Sequence, residues 1–263
     1  MEVGELVNVV IALNEQDKEE MCPMCPNKKL SACKKKTDPI DTKVVSKPDQ
    51  LACTPLIPGR ATHAYTTAKH HLISAKQCYA KLKRLVRMGS LAKYDINAPA
   101  NGIPLPTIAN DLRFTVGNTH NTNYGALSDA EKKIVAFAVM DGVKAQWHVG
   151  HHAVLVPIPA HYADEQDEGQ WSRGHDIAYD SEVLQELLKL LDKYPPEAEC
   201  EADKLNKFKQ DMDAISDKIK AKLNQFGAGK PAQSTPFFVS RLAADYANEK
   251  SEAPPRVVAP SLI

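Results

Sequence analysis

Apolar residues recur at helical spacing in five segments of the chain. The pattern predicts helices over residues 75–88, 129–140, 181–194, 202–226 and 239–247. Ser128 and Glu131 have the spacing of a capping box, which marks the start of the second helix. Gly89 is expected to end the first helix, Ser181 to cap the third and Pro195 to break it. The predicted class is α+β, mainly α, with a few short strands.

The same pattern divides the chain into three parts. Residues 1–60 form a lysine-rich, cysteine-containing leader that opens with an apolar run at residues 6–13 and shows little periodicity afterwards. Residues 61–195 are denser in histidine, asparagine and glycine, and they include a short apolar run at residues 154–158. We expect this part to carry the chemistry. Residues 196–263 form a predicted helical extension with a proline-containing tail.

The charge of the chain is balanced overall but uneven along its length. A net charge of zero argues against a protein that coats nucleic acid by bulk charge. Residues 50–94, however, contain no aspartate or glutamate. Eight basic residues lie there: Arg60, Lys69, Lys76, Lys81, Lys83, Arg84, Arg87 and Lys93. Such a segment suits a site that binds phosphates locally, and a solvated helix face is the alternative interpretation.

No apolar run is long enough to predict a membrane-spanning helix. Near the amino terminus, Glu2 and Glu5 precede the apolar run, and a basic region with a small-residue cleavage site is not found there. A conventional secretory signal is therefore not expected, and we expect synthesis in the cytoplasm.

Four of the six cysteines lie in the predicted leader, at Cys22, Cys25, Cys33 and Cys53. Together they could form a tetrahedral thiolate site for a structural zinc ion. The two-residue gap between Cys22 and Cys25 fits a zinc knuckle, whereas the longer gaps match no strong pattern. Buried or redox-pairing thiols are the alternative.

The nine histidines include two tight groups, His70-His71 and the run from His148 to His152. Adjacent side chains on a strand point to opposite faces, so paired histidines favour unlike tasks. One imidazole would bind a metal ion and the other would act on water. Buried or exposed structural histidines are the alternative for either group.

The order of these groups resembles a known nuclease family. His70-His71 is followed by Asn101-Gly102, by Leu105-Pro106 and then by His148-Val-Gly-His-His152. This order resembles the AHH branch of the HNH/endonuclease VII superfamily, a group of His-Me-finger nucleases common among bacterial polymorphic toxins. Lys69 interrupts the alanine–histidine–histidine triplet of that family, and the resemblance covers roughly residues 63–160. It implies a ββα-metal core with added helices.

The resemblance also implies roles for individual residues. His71 would be the general base that deprotonates water, with its ring oriented by Asn101. His70 would hold one divalent ion (Mg²⁺, Mn²⁺, Ni²⁺ or Zn²⁺) together with His148 or His152, which the helix of the finger would supply. His151 and His120 are secondary metal candidates. Non-specific phosphate contacts are expected from Lys69, Lys76, Arg84 and Arg87.

The implied function is an endonuclease that hydrolyses phosphodiester bonds, with DNA favoured over RNA as substrate. The family context implies an antibacterial toxin that is exported by a specialised secretion system such as type VI, acts in the target-cell cytoplasm and is neutralised by a cognate immunity protein. A non-catalytic zinc-binding adaptor for nucleic acid or protein is the main alternative. A metal-dependent hydrolase acting on another substrate is a third possibility, which the acid-free basic segment disfavours.

Overall fold

The computed structural model describes residues 63–108, 112–148 and 179–252, together with Leu51 and the backbone of two short segments in the leader. Within these ranges there are six strands: β1 (Met21–Cys22), β2 (Cys25–Lys29), β3 (Thr66–His71), β4 (Gly102–Thr107), β5 (Arg113–Val116) and β6 (Thr119–Asn123). Five α-helices accompany them: α1 (Lys83–Leu91), α2 (Asp129–Val143), α3 (Tyr179–Asp192), α4 (Ala202–Gly227) and α5 (Arg241–Glu252). Most of the regular structure is helical, which confirms the α+β, mainly α class.

The described strands form three separate antiparallel pairs, β1 with β2, β3 with β4 and β5 with β6. The β3–β4 pair positions the predicted site, because His70 lies opposite Ile103 and His71 lies opposite Gly102. Residues 72–101 connect these two strands and contain α1. We call this segment the connecting loop.

The capping box that starts α2 is confirmed. The hydroxyl of Ser128 accepts a hydrogen bond from the backbone N–H of Glu131, and the Glu131 carboxylate accepts one from the Ser128 N–H at 3.0 Å. The helix runs to Val143, three residues past the predicted end, and stops where Lys144 adopts a left-handed conformation with φ 57°. The pattern also located α4 correctly. For α3 the predicted start was wrong, because the helix begins at Tyr179 and Ser181 lies inside its first turn.

The helix predicted over residues 75–88 is displaced along the chain. Its first part is turns and a short 3₁₀-helix at Tyr79–Lys81, and Leu82, with φ −103° and ψ 86°, separates this part from α1. Gly89 does not end the helix but lies inside it. A Cβ atom at Gly89 would come within 1.9 Å of the Tyr79 hydroxyl oxygen, so the glycine permits close packing of the helix on that ring.

Buried apolar side chains form two clusters. The first joins the connecting loop, α1, α3 and α4, and its members include Leu72, Leu85, Leu187, Phe208 and Ile219. The second joins α2, the β5–β6 pair and α5, and its members include Phe114, Val135, Trp147, Phe226 and Tyr246. The first cluster contains residues from both sides of the predicted boundary at residues 195–196, so a single core crosses it.

Several sequence predictions lie outside the described residues. These are the apolar runs at 6–13 and 154–158, and the side chains of Cys22, Cys25, Cys33, Cys53, His151 and His152. Across the described ranges, no helix combines the length and the apolar character that crossing a lipid bilayer would require.

Candidate functional site

His70 and His71 occupy the end of β3 and are both buried, with exposed fractions of 5% and 8%. Pairing with β4 fixes the backbone of both residues. Because side chains alternate along a strand, the two imidazoles leave the β3–β4 pair on opposite sides. They therefore have different neighbours, as unlike tasks would require.

The ring of His70 packs against two other rings. Its centroid lies 5.0 Å from that of His148, with an interplanar angle of 64°, and 5.2 Å from that of Tyr179. The Tyr179 hydroxyl donates a hydrogen bond of 2.8 Å to the carbonyl of Leu72. Burial raises the pKa of Tyr179 well above its ordinary value, so the phenol keeps the proton that it donates. Tyr179 thus links the first turn of α3 to the end of β3.

His148 reaches this position through backbone contacts with the end of β4. Its N–H donates to the carbonyl of Pro106 at 2.8 Å, and the Thr107 hydroxyl donates to the His148 carbonyl at 2.9 Å. His148 follows α2 in an irregular segment. The prediction that it is supplied by a helix is therefore wrong, because its backbone bonds to a strand instead of to a helical turn.

The two residues before His148 are held by the segment that precedes α5. The Gln146 side chain donates to the carbonyl of Phe237 at 3.1 Å and accepts from the N–H of Val239 at 2.9 Å. The Ser240 hydroxyl donates to the Trp147 carbonyl at 2.5 Å. His148 is consequently fixed from two directions, by β4 and by the carboxyl-terminal part of the chain.

The separation of the His70 and His148 rings is compatible with two ligands of one ion, and it is also that of ordinary edge-to-face packing. Imidazole nitrogens about 2 Å from a shared ion place their ring centres roughly 5 Å apart at tetrahedral angles. The observed separation of the ring centroids is 5.0 Å. Among the residues that the structure describes, no group of three or more histidine, cysteine or acidic side chains is close enough to hold a metal. His120 is exposed on β6, and the other predicted ligands, His151 and His152, follow His148 beyond the described range.

The ring of His71 has a partner that the sequence did not single out. Its Nε2 atom lies 3.0 Å from Oδ1 of Asn97, in the connecting loop. The backbone N–H of Asn97 donates to the Asp95 carboxylate at 2.9 Å. The sequence interpretation gave the orientation of this ring to Asn101, whereas the direct contact is made by Asn97. The only available signal was the position of Asn97 in the same asparagine-bearing loop.

The side chain of Asn101 is buried, with an exposed fraction of 1%, and it connects two parts of the connecting loop through hydrogen bonds. Its Oδ1 accepts from the Ile73 N–H at 2.7 Å and from the Ser216 hydroxyl at 3.1 Å. Its Nδ2 donates to the carbonyls of Ile96 at 2.9 Å and Ile73 at 3.2 Å. One side chain thereby joins the residues after His71, the residues before Asn97 and helix α4. A role for Asn101 in catalysis stays a prediction.

The predicted phosphate-binding residues fall into two groups. Arg84 and Arg87 face the carboxylate of Glu199, with Nε–oxygen distances of 3.6 Å and 2.7 Å, and Arg84 also donates to the Tyr194 carbonyl. The Glu199 side chain is fully buried, so this ion pair joins α1 to the turn before α4. Lys76 is exposed, and Lys69 is partly buried on the same side of β3 as His71. Both arginines thus pair with a carboxylate inside the protein, and phosphate binding by Lys69 and Lys76 stays a prediction.

Comparison with known proteins gives no match to a protein-family model, to a curated protein or to a solved structure. The structure brings together two sets of predicted and observed site residues. In one set His70 contacts His148, and in the other His71 contacts Asn97 in the connecting loop. Both sets include a histidine from the last two positions of β3, His70 in the first set and His71 in the second.

Proposed function

We propose that this chain is a metal-dependent endonuclease, in which His71 deprotonates the attacking water and His70 and His148 hold a divalent ion. The observation that carries this proposal is the convergence at β3 and β4. Pairing of the two strands sets both histidines of β3 beside the connecting loop, and backbone contacts from β4 set His148 against His70. In this proposal β3 and β4 are the two strands of a ββα finger.

The arrangement assigns separate tasks to the two neighbouring histidines. An imidazole titrates near neutral pH and can therefore take a proton from water during phosphodiester hydrolysis. His71 is suited to this task because Asn97 holds one of its ring nitrogens and leaves the other for water. His70, the preceding residue at the end of β3, contacts His148. The proposal therefore requires one phosphate to reach both the base and the ion around the end of this strand.

The donor set suits a catalytic ion better than a closed structural site. When bound, a divalent ion would stabilise the negative charge that develops on the phosphate and on the leaving oxygen. Two imidazoles leave coordination positions for water and a phosphate oxygen, and His152 is the predicted third ligand. Imidazole ligands favour Zn²⁺, Ni²⁺ or Mn²⁺ over Mg²⁺, which prefers oxygen.

Nucleic acid is the proposed substrate, with DNA favoured. The basic segment that contains β3 carries Lys69 beside His71 in the strand and the exposed Lys76 shortly after it. Lysines at the edge of a site bind phosphate as point charges without reading sequence. The resemblance further supports an exported antibacterial effector that is inhibited by a cognate immunity protein covering the site.

Plasmid cleavage tests the proposal. Supercoiled DNA is incubated with the full chain and with Mg²⁺, Mn²⁺, Ni²⁺ or Zn²⁺ in turn, beside an EDTA control. The wild type should nick the plasmid, and His71→Ala should lower the rate by about 100-fold or more. His63→Gln is the matched control and should cleave like the wild type. The ring of His63 packs against that of Phe114 in the second core cluster, with the ring centroids 5.9 Å apart.

Two results would contradict different parts of the proposal. Cleavage by His71→Ala at the wild-type rate would remove His71 as the general base. If neither DNA nor RNA were cleaved with any of the ions, the chain would not be a nuclease. If EDTA also unfolded an inactive chain, the zinc-binding adaptor would replace the nuclease.

A further inference from the structure

We propose that Asn97 is a positioning residue that holds His71 in a single tautomer, with the proton on Nε2 and with Nδ1 free to accept a proton. This role presupposes the proposed function, since it defines which atom of His71 receives the proton of the attacking water. It also assigns to Asn97 the task that the sequence interpretation gave to Asn101.

The contact between Asn97 and His71 has the geometry of a hydrogen bond. Oδ1 of Asn97 lies 3.0 Å from Nε2 of His71, within the usual range of a hydrogen bond. A carboxamide oxygen only accepts, so with Oδ1 of Asn97 turned toward the ring, Nε2 of His71 is the donor. A neutral imidazole carries a single N–H, which places the lone pair of the base on Nδ1.

Hydrogen bonds of the surrounding backbone hold Asn97 in place. The loop around Asn97 is a turn in which Asp95 accepts from the N–H of Asn97 at 2.9 Å, through its side chain, and from the N–H of Ala98 at 3.0 Å, through its carbonyl. The carbonyl of Ile96, one residue before Asn97, accepts from the Asn101 side chain at 2.9 Å. The backbone around Asn97 is therefore fixed from two sides.

Strand pairing and Asn101 hold the backbone of His71 and of the residues after it. His71 pairs with Gly102 across the strands, and the next N–H, that of Leu72, donates to the Asn101 carbonyl at 2.9 Å. The Asn101 side chain also bonds to both backbone groups of Ile73. Asn101 thus holds the backbone after His71 and before Asn97, and so sets the separation between these two residues. Among the described residues, its side chain makes no hydrogen bond to the imidazole.

A fixed tautomer matters because the alternative places a proton where the base must act. With Nδ1 protonated, His71 could not accept from water on that atom until the proton moved. Partners of this kind contribute roughly 10-fold to 100-fold in activity. Loss of the Asn97 oxygen should therefore lower kcat by that factor and leave KM nearly unchanged, because Asn97 acts on His71 and not on substrate.

Nitrogen NMR of the full chain reads the tautomer without any requirement for activity. Two-bond ¹H–¹⁵N spectra are recorded at a pH at which imidazoles are neutral, and the His71 signals are assigned by comparison with His71→Gln. The wild type should show a protonated Nε2 and an unprotonated Nδ1. Asn97→Leu, which keeps the size of the side chain without the oxygen, should show a mixture of tautomers, and Asn97→Asp should restore the single form.

Kinetics complete the test. Asn97→Leu should lose activity in kcat, Asn97→Asp should recover part of it, and Asn224→Leu, which changes an exposed asparagine on α4, should match the wild type. A wild-type His71 with its proton on Nδ1 would overturn the inference even if Asn97→Leu failed to fold. A correct tautomer in a protein that cleaves no nucleic acid would overturn the proposed function and leave the hydrogen-bond assignment standing.

Discussion

Asn101 makes four hydrogen bonds from a position that solvent scarcely reaches. Three of its partners are backbone groups of Ile73 and Ile96, which would remain buried after the side chain is removed. An unsatisfied buried polar group costs more than the hydrogen bond itself contributes. The residue is therefore a determinant of stability as well as a part of the proposed site.

Replacing this carboxamide should have a large effect on stability. We expect Asn101→Ala to lower the free energy of unfolding by about 3 kcal/mol, because several backbone groups lose their partner. Ser216→Ala removes one donor to the same oxygen and should cost only about 1 kcal/mol. Urea denaturation measures both values. Equal effects of the two variants, or an Asn101→Ala protein as stable as the wild type, would contradict this description of the loop.

Some residues of the candidate site could be predicted from the sequence, and others could not. The positions of His70, His71 and Asn101 followed from their order, and strand alternation predicted that the two imidazoles would differ in surroundings. Asn97 could not be identified, because its contact with His71 depends on a turn fixed by long-range hydrogen bonds. The pairing of Arg84 and Arg87 with Glu199 was hidden for the same reason, since the carboxylate lies more than 100 residues further along.

At the level of elements, periodicity located helices well where solvent faces one side of them. Helix α4 has regularly spaced buried residues such as Phe208, Met212 and Ile219, and its bounds were predicted closely. The segment before α1 was less predictable, because Cys78 and Leu82 are fully buried against other elements and Tyr79 nearly so. Tertiary packing there overrides a local pattern that would suit a helix.

The contact between α1 and the turn before α4 depends on a buried charge. Glu199 is enclosed and faces two partly exposed guanidiniums, so its replacement leaves both arginines without this carboxylate. We expect Glu199→Gln to lower the free energy of unfolding by about 2 kcal/mol, somewhat less than for a fully buried pair because water reaches both arginines.

An exposed ion pair provides the matched comparison for this prediction. Glu249 pairs with Lys133 between α5 and α2, and both side chains are well exposed. Glu249→Gln should leave the free energy of unfolding nearly unchanged, because solvent screens the pair. Thermal or urea denaturation compares the two variants. A Glu249→Gln protein that loses as much stability as Glu199→Gln would contradict the importance of burial.

On the scale of the whole molecule, the carboxyl-terminal third supports the candidate site. Helix α4 supplies Ser216 to Asn101, and Phe237, Val239 and Ser240 hold the segment that leads to His148. The sequence predicted the helices of this part but assigned them no role. Their contribution could not be predicted from periodicity, which describes which face of a helix is buried but not what it is buried against.

The central claim is that one divalent ion binds between His70 and His148. Anomalous diffraction from crystals of the full chain soaked in Mn²⁺ measures this directly. The account predicts one strong peak about 2 Å from a ring nitrogen of each histidine, which should disappear in His70→Ala. The claim would be contradicted if no peak appeared between the two imidazoles at saturating Mn²⁺, or if the peak persisted in His70→Ala.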